Sequence, residues 1–154
     1  MLKILPITGN ANSGKTTLLR DLIVHVNGLS SVLIDQKQGG TDPLDIRATF
    51  EVNGKRIVIT TLGDNESEML GNIKYAQQYH ADIWITASRK PGLKHCHEKL
   101  VYQAIETFIQ KDPTNRLIIN GPQLKSFRKN KTTKSKTQHK KYLTELITLL
   151  TSLI

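Results

Sequence analysis

A single cysteine in 154 residues rules out a disulfide within the chain and suits a reducing compartment. Aromatic residues are scarce, at 5%, so a platform on which nucleic-acid bases stack in series has few side chains to draw on. No apolar stretch approaches the roughly 20 residues of a membrane-spanning helix. The first apolar run is short and passes straight into a glycine-containing loop. Neither a secretory leader nor a membrane anchor is therefore expected, and the expected location is the cytoplasm. Acids are also few: 13 Asp/Glu stand against 22 Lys/Arg, a formal net charge of +9. The imbalance is local. Residues 122–141 hold eight Lys/Arg and no acid, which leaves fourteen Lys/Arg and thirteen Asp/Glu for everything else. The basic character belongs to one segment, not to the fold. The length fits one domain over residues 1–154, and no internal repeat is present.

What the chain does have is Gly9-Asn10-Ala11-Asn12-Ser13-Gly14-Lys15-Thr16. It fits the phosphate-binding pattern G-x-x-x-x-G-K-[ST] at every defined position. Gly9 and Gly14 permit backbone angles that let the loop amides wrap an anion. Lys15 brings a cation to the β- and γ-phosphates, and the Thr16 hydroxyl is placed to ligate Mg²⁺. Thr17 extends the phosphate-facing set. The order of elements is right: Leu2–Thr8 reads as a buried strand and Thr17–Val26 as a helix. On that helix Leu18, Leu19, Leu22, Ile23 and Val26 share a face, and its N-terminus points a positive dipole end at the same anion. Pro6 lacks an N–H and predicts a local bulge in the strand.

In this stretch the chain resembles the P-loop NTPase superfamily. Asn12-Ser13-Gly14-Lys15-Thr16-Thr17-Leu18 is similar to the start of the adaptor proteins of molybdopterin-guanine dinucleotide synthesis. The resemblance implies an α/β, three-layer P-loop NTPase fold.

The rest of the pattern leads to the same class of fold. Ser31–Asp35 reads as a strand ending in an acid, followed by a loop from Gln36 to Pro43. Ile46, Ala48, Phe50 and Val52 alternate with polar residues, Asn53-Gly54 is a hairpin turn, and Arg56–Leu62 is the return strand. Helix is expected over Glu66–His80, strand over Asp82–Ala87, and helix over Lys94–Gln110 with Cys96, Leu100, Val101, Ala104, Ile105 and Phe108 inward. A last strand, Arg116–Asn120, precedes the flexible basic segment 122–141 and a C-terminal helix 141–153. Strands alternating with helices predict a mostly parallel sheet covered on both faces, with an antiparallel hairpin strand at one edge. Ligands then sit beyond the carboxyl ends of the strands, where Thr8/Gly9, Asp35, Gly63/Asp64, Ser88/Arg89 and Asn120/Gly121 are all expected.

Phosphoryl chemistry needs an acid near the metal. The hairpin and Thr60-Thr61-Leu62-Gly63 resemble the second switch of small GTPases, with threonine where that family has aspartate. Gly63 is then expected to offer its N–H to a γ-phosphate. Asp64 either serves the metal or nucleophile or caps the following helix. Asp35 is the alternative acid and the slightly favoured one. Thr41 lies where a first switch loop would place a threonine, but reads as a plain loop residue. Arg89 and Lys90 reach a phosphate, within one chain or across a homodimer, or are a solvated loop. His95-Cys96-His97 does not read as a zinc site, since neighbouring helical residues diverge.

No N-K-x-D motif follows a strand, which disfavours GTP and leaves ATP as the expected nucleotide. The leading expectation is a Mg²⁺-dependent ATPase, with Lys15 and either Asp35 or Asp64 carrying the chemistry. The alternatives are a kinase for a small nucleosidic or phosphorylated acceptor, with the basic segment as lid, and a nucleotide-dependent switch or adaptor. Lys125–Lys141 could serve nucleic acid or another polyanion.

Overall fold

A computed structural model describes residues 1–11, 13–92, 96–124 and 133–154, the side chains at 96, 97 and 133–135 excepted. The described chain runs β1 (Leu2–Gly9), α1 (Lys15–Asn27), β2 (Ser31–Gln38), β3 (Ile46–Val52), β4 (Lys55–Thr60) and α2 (Glu66–Gln78). It continues through β5 (Ile83–Ser88), α3 (Cys96–Gln110), β6 (Arg116–Ile118), β7 (Gln123–Leu124) and α4 (Thr133–Leu153). The seven strands form one sheet in the order β2-β3-β4-β5-β1-β6, with β7 also on β1. Only β3 runs against its neighbours; β4, β5, β1, β6 and β7 pair in parallel. The hairpin turn sits at Asn53 (φ 52°) and Gly54 (φ 74°). Two successive left-handed residues give the twist that antiparallel strands need.

Alternation along the central strands sends side chains to two faces, and each face has its own core. Leu5, Ile7, Ile57, Ile59, Ile83 and Ile85 meet Leu18, Leu19, Leu22 and Val26 of α1 and Leu146 and Leu150 of α4. Ile4, Val58 and Trp84 point the other way, into Met69, Ile73 and Ala76 of α2 and Val101, Ile105 and Phe108 of α3. Each large aliphatic side chain buried this way contributes about 1.5–3 kcal/mol. A polar thread crosses the second core. The Trp84 indole N–H donates to the Thr60 hydroxyl (3.0 Å), and Asn72 Nδ2 donates to the Leu62 carbonyl (2.9 Å). Asn72 thereby fixes the chain one residue before Gly63.

Several expectations are corrected. Pro6 makes no bulge: β1 and β5 stay in register from Lys3↔Ile83 to Thr8↔Ser88. Ile4 accepts from Ile119 N–H and Thr8 N–H donates to the Pro122 carbonyl. By the period of two, the Pro6 nitrogen faces that same side, in the gap between β6 and β7, where no strand asks for a donor. The irregularity lies instead in β2, between Leu33 and Asp35, and β2 runs on to Gln38 through residues expected to be loop. Leu100 is exposed, not inward. The segment 122–141 is not loop throughout: β7 takes Gln123–Leu124, and α4 begins at Thr133, eight residues before the expected start of the final helix at 141. Residues 125–132 lie outside the described residues. Among the described residues, no helix is long and apolar enough to cross a membrane.

Candidate functional site

The loop after β1 closes on itself through its lysine. Lys15 Nζ donates to the carbonyls of Gly9 (2.9 Å) and Asn10 (2.7 Å) and to Ser13 Oγ at 3.5 Å. The side chain is 5% exposed. Gly14 caps α1 at φ 91°, a left-handed conformation that favours glycine. At Gly9 a Cβ would run into the Ser13 side chain. Gly14 is thus favoured by its backbone angle, and Gly9 by close packing on Ser13 and the Leu124 carbonyl. Asn10 and Ala11 are exposed, Ser13 is half-buried, and Asn12 lies outside the described residues. Thr17 is exposed on α1. Thr16 is half-buried, and its hydroxyl donates to the Thr61 carbonyl (3.4 Å), which ties the first turn of α1 to the end of β4.

The two helices nearest this loop end differently. The first turn of α1 holds no acid, and no side chain caps it, so the positive end of its dipole is uncompensated by its own residues. At α2 the Asn65 side chain accepts from Glu68 N–H (2.9 Å). Glu68 Oε2 reaches back to accept from the N–H groups of Asp64 (2.9 Å) and Gly63 (3.3 Å). Asn65 makes the N-cap half of a capping box, while Glu68 reaches past the Asn65 N–H to the two residues before it. The cap is therefore Asn65 and not Asp64, and the Gly63 N–H is held by a carboxylate of its own chain. Gly63 is pressed against the Ala87 carbonyl so closely that a Cβ there would overlap it.

Arg89 follows β5, the strand beside β1. It is 7% exposed, and its Nη2 lies 3.2 Å from Asp64 Oδ1 and its Nη1 3.8 Å from Glu98 Oε1. Nε and Nη1 make no hydrogen bond, and neither does the buried Thr8 hydroxyl. These are the only buried side-chain polar atoms without a partner among the described residues. All three sit at the carboxyl ends of β1 and β5, where Thr8 pairs with Ser88. Unpaired buried donors cost about 1–3 kcal/mol each. Donors of this kind at one rim are suited to acceptor oxygens.

At this rim Lys15 feels both signs of charge, from Arg89 and from Asp64 and Glu98. Its pKa is lowered from 10.5 to about 8, first by burial and then by the field of Arg89, with Asp64 and Glu98 opposing. An anion placed here would favour the charged ammonium and offset the lowering.

The structure gathers most of the expected rim but not all of it. Thr8, Gly9, Lys15, Thr16, Gly63, Asp64, Ser88 and Arg89 come together. Asp35 does not. It lies inside β2, opposite Thr49, and its carboxylate accepts from the Tyr75 hydroxyl (2.8 Å). Its strand is four steps from β1 in the sheet, about 19 Å at roughly 4.8 Å per step. Lys37, which stacks over the Tyr75 ring at 4.9 Å, belongs to that same structural cluster. Thr41 is exposed in the loop before β3. His95 and the side chains of Cys96 and His97 lie outside what is described, and no group of metal-ligating side chains is present among the described residues.

Glu68, Asn72 and Glu98 are not among the residues that the sequence motifs mark. Asn65-x-x-Glu68 carries a capping signal that would have found Glu68. Nothing local marks Asn72 or Glu98, because their roles depend on which loops they face. No protein-family model, no curated protein and no solved structure matches this chain.

Proposed function

We propose that the Gly9–Thr16 loop binds the phosphates of a nucleoside triphosphate, ATP by default, on a three-layer P-loop NTPase fold, and that the protein hydrolyses or transfers the γ-phosphate with Mg²⁺. The observation that carries this reading is that, among the described residues, the buried polar side-chain atoms without a hydrogen bond all lie on Thr8 and Arg89, at the strand ends that also hold the buried Lys15. In this reading the loop amides and the open N-terminus of α1 hold the phosphates, and Lys15 and Arg89 stabilise their charge. Oxygen donors suited to Mg²⁺ are present in Thr16 and Asp64. Mg²⁺ typically takes one or two protein oxygens together with phosphate and water, so this small set fits. Magnesium would supply charge neutralisation on the phosphates. Asp35 has no part in it.

A second reading, a slowly turning nucleotide-dependent switch, is favoured by one observation. The amides of Gly63 and Asp64 are satisfied by Glu68, a group of the same chain that another anion can replace. Calorimetry with ATP, GTP and ADP, each with Mg²⁺, tests the shared part of both readings. A labelled-ATP screen with and without small acceptors then separates hydrolase, kinase and switch. Absence of triphosphate binding would end both.

A further inference from the structure

α2 and α3 pack side by side over one face of the sheet, and their outer surfaces leave a groove of about 250 Å³. Leu70 and Ile73 of α2 and Leu100, Ala104 and Phe108 of α3 line it. Leu70 is 51% exposed and Leu100 39%. Two large apolar side chains in water beside one groove form a patch, unlike leucines scattered singly. The charges are at the ends. α2 links the parallel strands β4 and β5, and α3 leads from β5 to β6, which is also parallel, so both helices return in the same direction. Glu66 opens α2 and Lys111 follows the last residue of α3. An acid therefore stands at one end of the groove and a base at the other. No other charged side chain lines it among the described residues.

We propose that a second copy of this chain docks on this face, with α2 of each copy seated antiparallel in the α2/α3 groove of the other about a two-fold axis. Such an axis presents the same patch on both copies and reverses its direction. It brings Glu66 of one copy to Lys111 of the other, twice over. Ends of like sign would have repelled in this arrangement. The same reversal sets α2 antiparallel to both helices it meets, so the helix dipoles attract. Leu70, in the middle of the stripe Glu66, Leu70 and Ile73, comes close to the axis and enters the facing apolar groove.

The footprint sets the strength. α2 has 13 residues and α3 has 15, about 20 Å of length for helices about 10 Å across, or roughly 400 Å² in projection per copy. That is the small end of specific interfaces, and ion pairs at its edge contribute under about 1 kcal/mol each. The dimer is therefore weak and reversible, with a dissociation constant on the order of 10–100 μM. Nothing in this pairing depends on what the Gly9–Thr16 loop binds.

Sedimentation velocity on the full chain from about 5 to about 500 μM brackets that constant. Wild type is expected to pass from monomer to dimer. Leu70→Glu sets like charges face to face near the axis and should raise the dissociation constant by about tenfold or more. Leu70 is exposed, so the fold should survive, and fluorescence of the buried Trp84 checks it. Glu66→Lys and Lys111→Glu each bring like charges together at both ends and should each weaken self-association several-fold. Mixed in equal amounts, the two variants restore both pairs, and a heterodimer should form more tightly than either variant pairs with itself. Helix-end or stability effects within one chain would not produce that rescue. A wild type that stays monomeric over the whole range overturns the proposal. So does a dimer indifferent to Leu70→Glu, or a mixture with no preference for the heterodimer. Should Leu70→Glu fail to fold, the mixing experiment decides the matter alone.

Discussion

Arg89 Nη2 lies 3.2 Å from Asp64 Oδ1, which joins the chain beyond β5 to the loop beyond β4. The pair is asymmetric: the arginine is buried and the aspartate is mostly in water. As a stabilising contact it is worth under about 1 kcal/mol, so its interest lies in position. Asp64→Asn is expected to lower triphosphate turnover by about 100-fold or more with a modest change in affinity, since a group serving metal or nucleophile acts mainly on the transition state. Asp35→Asn should leave turnover unchanged and cost about 1 kcal/mol through the weakened bond to Tyr75. Steady-state rates and thermal melts on the two variants check this; equal losses of turnover would refute the assignment.

Lys15→Ala should abolish productive triphosphate binding. The fold should survive, because among the described residues Lys15 bonds to carbonyls and Ser13 of its own loop and to no core side chain. Calorimetry should show no binding, while the melting temperature moves by only a few degrees, about what a change near 1 kcal/mol produces. A variant that binds and turns over ATP normally would remove the phosphate-loop reading.

The lowered pKa of Lys15, about 8 instead of 10.5, gives two pH effects. In the window between those values the unfolded chain binds the proton that the folded chain has lost. Stability from this group therefore rises with pH across the window, and its penalty is fully present below about 8. Anion binding has the opposite slope, because it needs the ammonium. Triphosphate affinity should fall by up to about tenfold per pH unit above 8, and binding at pH 9 should take up a proton. Titration in two buffers of different ionisation enthalpy measures that uptake; none would mean that Lys15 does not face the anion.

Trp84, the sole tryptophan, is fully buried and donates to Thr60. Its fluorescence should be blue-shifted in the native state and report global unfolding. Trp84→Ala should cost about 3–5 kcal/mol, measured by urea denaturation. A cost below 1 kcal/mol would contradict the packing of β5 against α2 and α3.

The basic residues between Lys125 and Lys141 are expected to engage polyanions. Each duplex phosphate neutralised contributes about 0.9 to the salt slope, so engaging half of the eight charges gives roughly −3.5. Neutralising Lys125, Lys129, Lys131 and Lys134 should flatten it. If the segment serves the nucleotide instead, the same change weakens ATP binding and leaves the response to DNA and RNA flat. A salt series with duplex DNA, single-stranded RNA and ATP distinguishes these outcomes, and no change with any of them returns the segment to a solvated role.

Local pattern determined a good part of this protein. Alternation in Ile46–Val52, the Asn53-Gly54 turn, the apolar face of α1 and the glycine pair at 9 and 14 each depend on neighbours within a few residues. Sequence order carries such information directly. Tertiary structure decided the rest. Asp35 and Asp64 both follow apolar strand residues and look alike in one dimension. Only the strand order, which places β2 at the far edge and β5 beside β1, sends one to a tyrosine and the other to Arg89. Pro6 is harmless because a gap between β6 and β7 lies opposite it. The Gly63 amide is engaged because the first turn of α2 carries Glu68 back to it. Arg89 becomes a buried, incompletely paired cation through Asp64 and Glu98, which come from two other parts of the chain. Electrostatics and burial act through space, so the character of these groups exists only once the sheet has assembled.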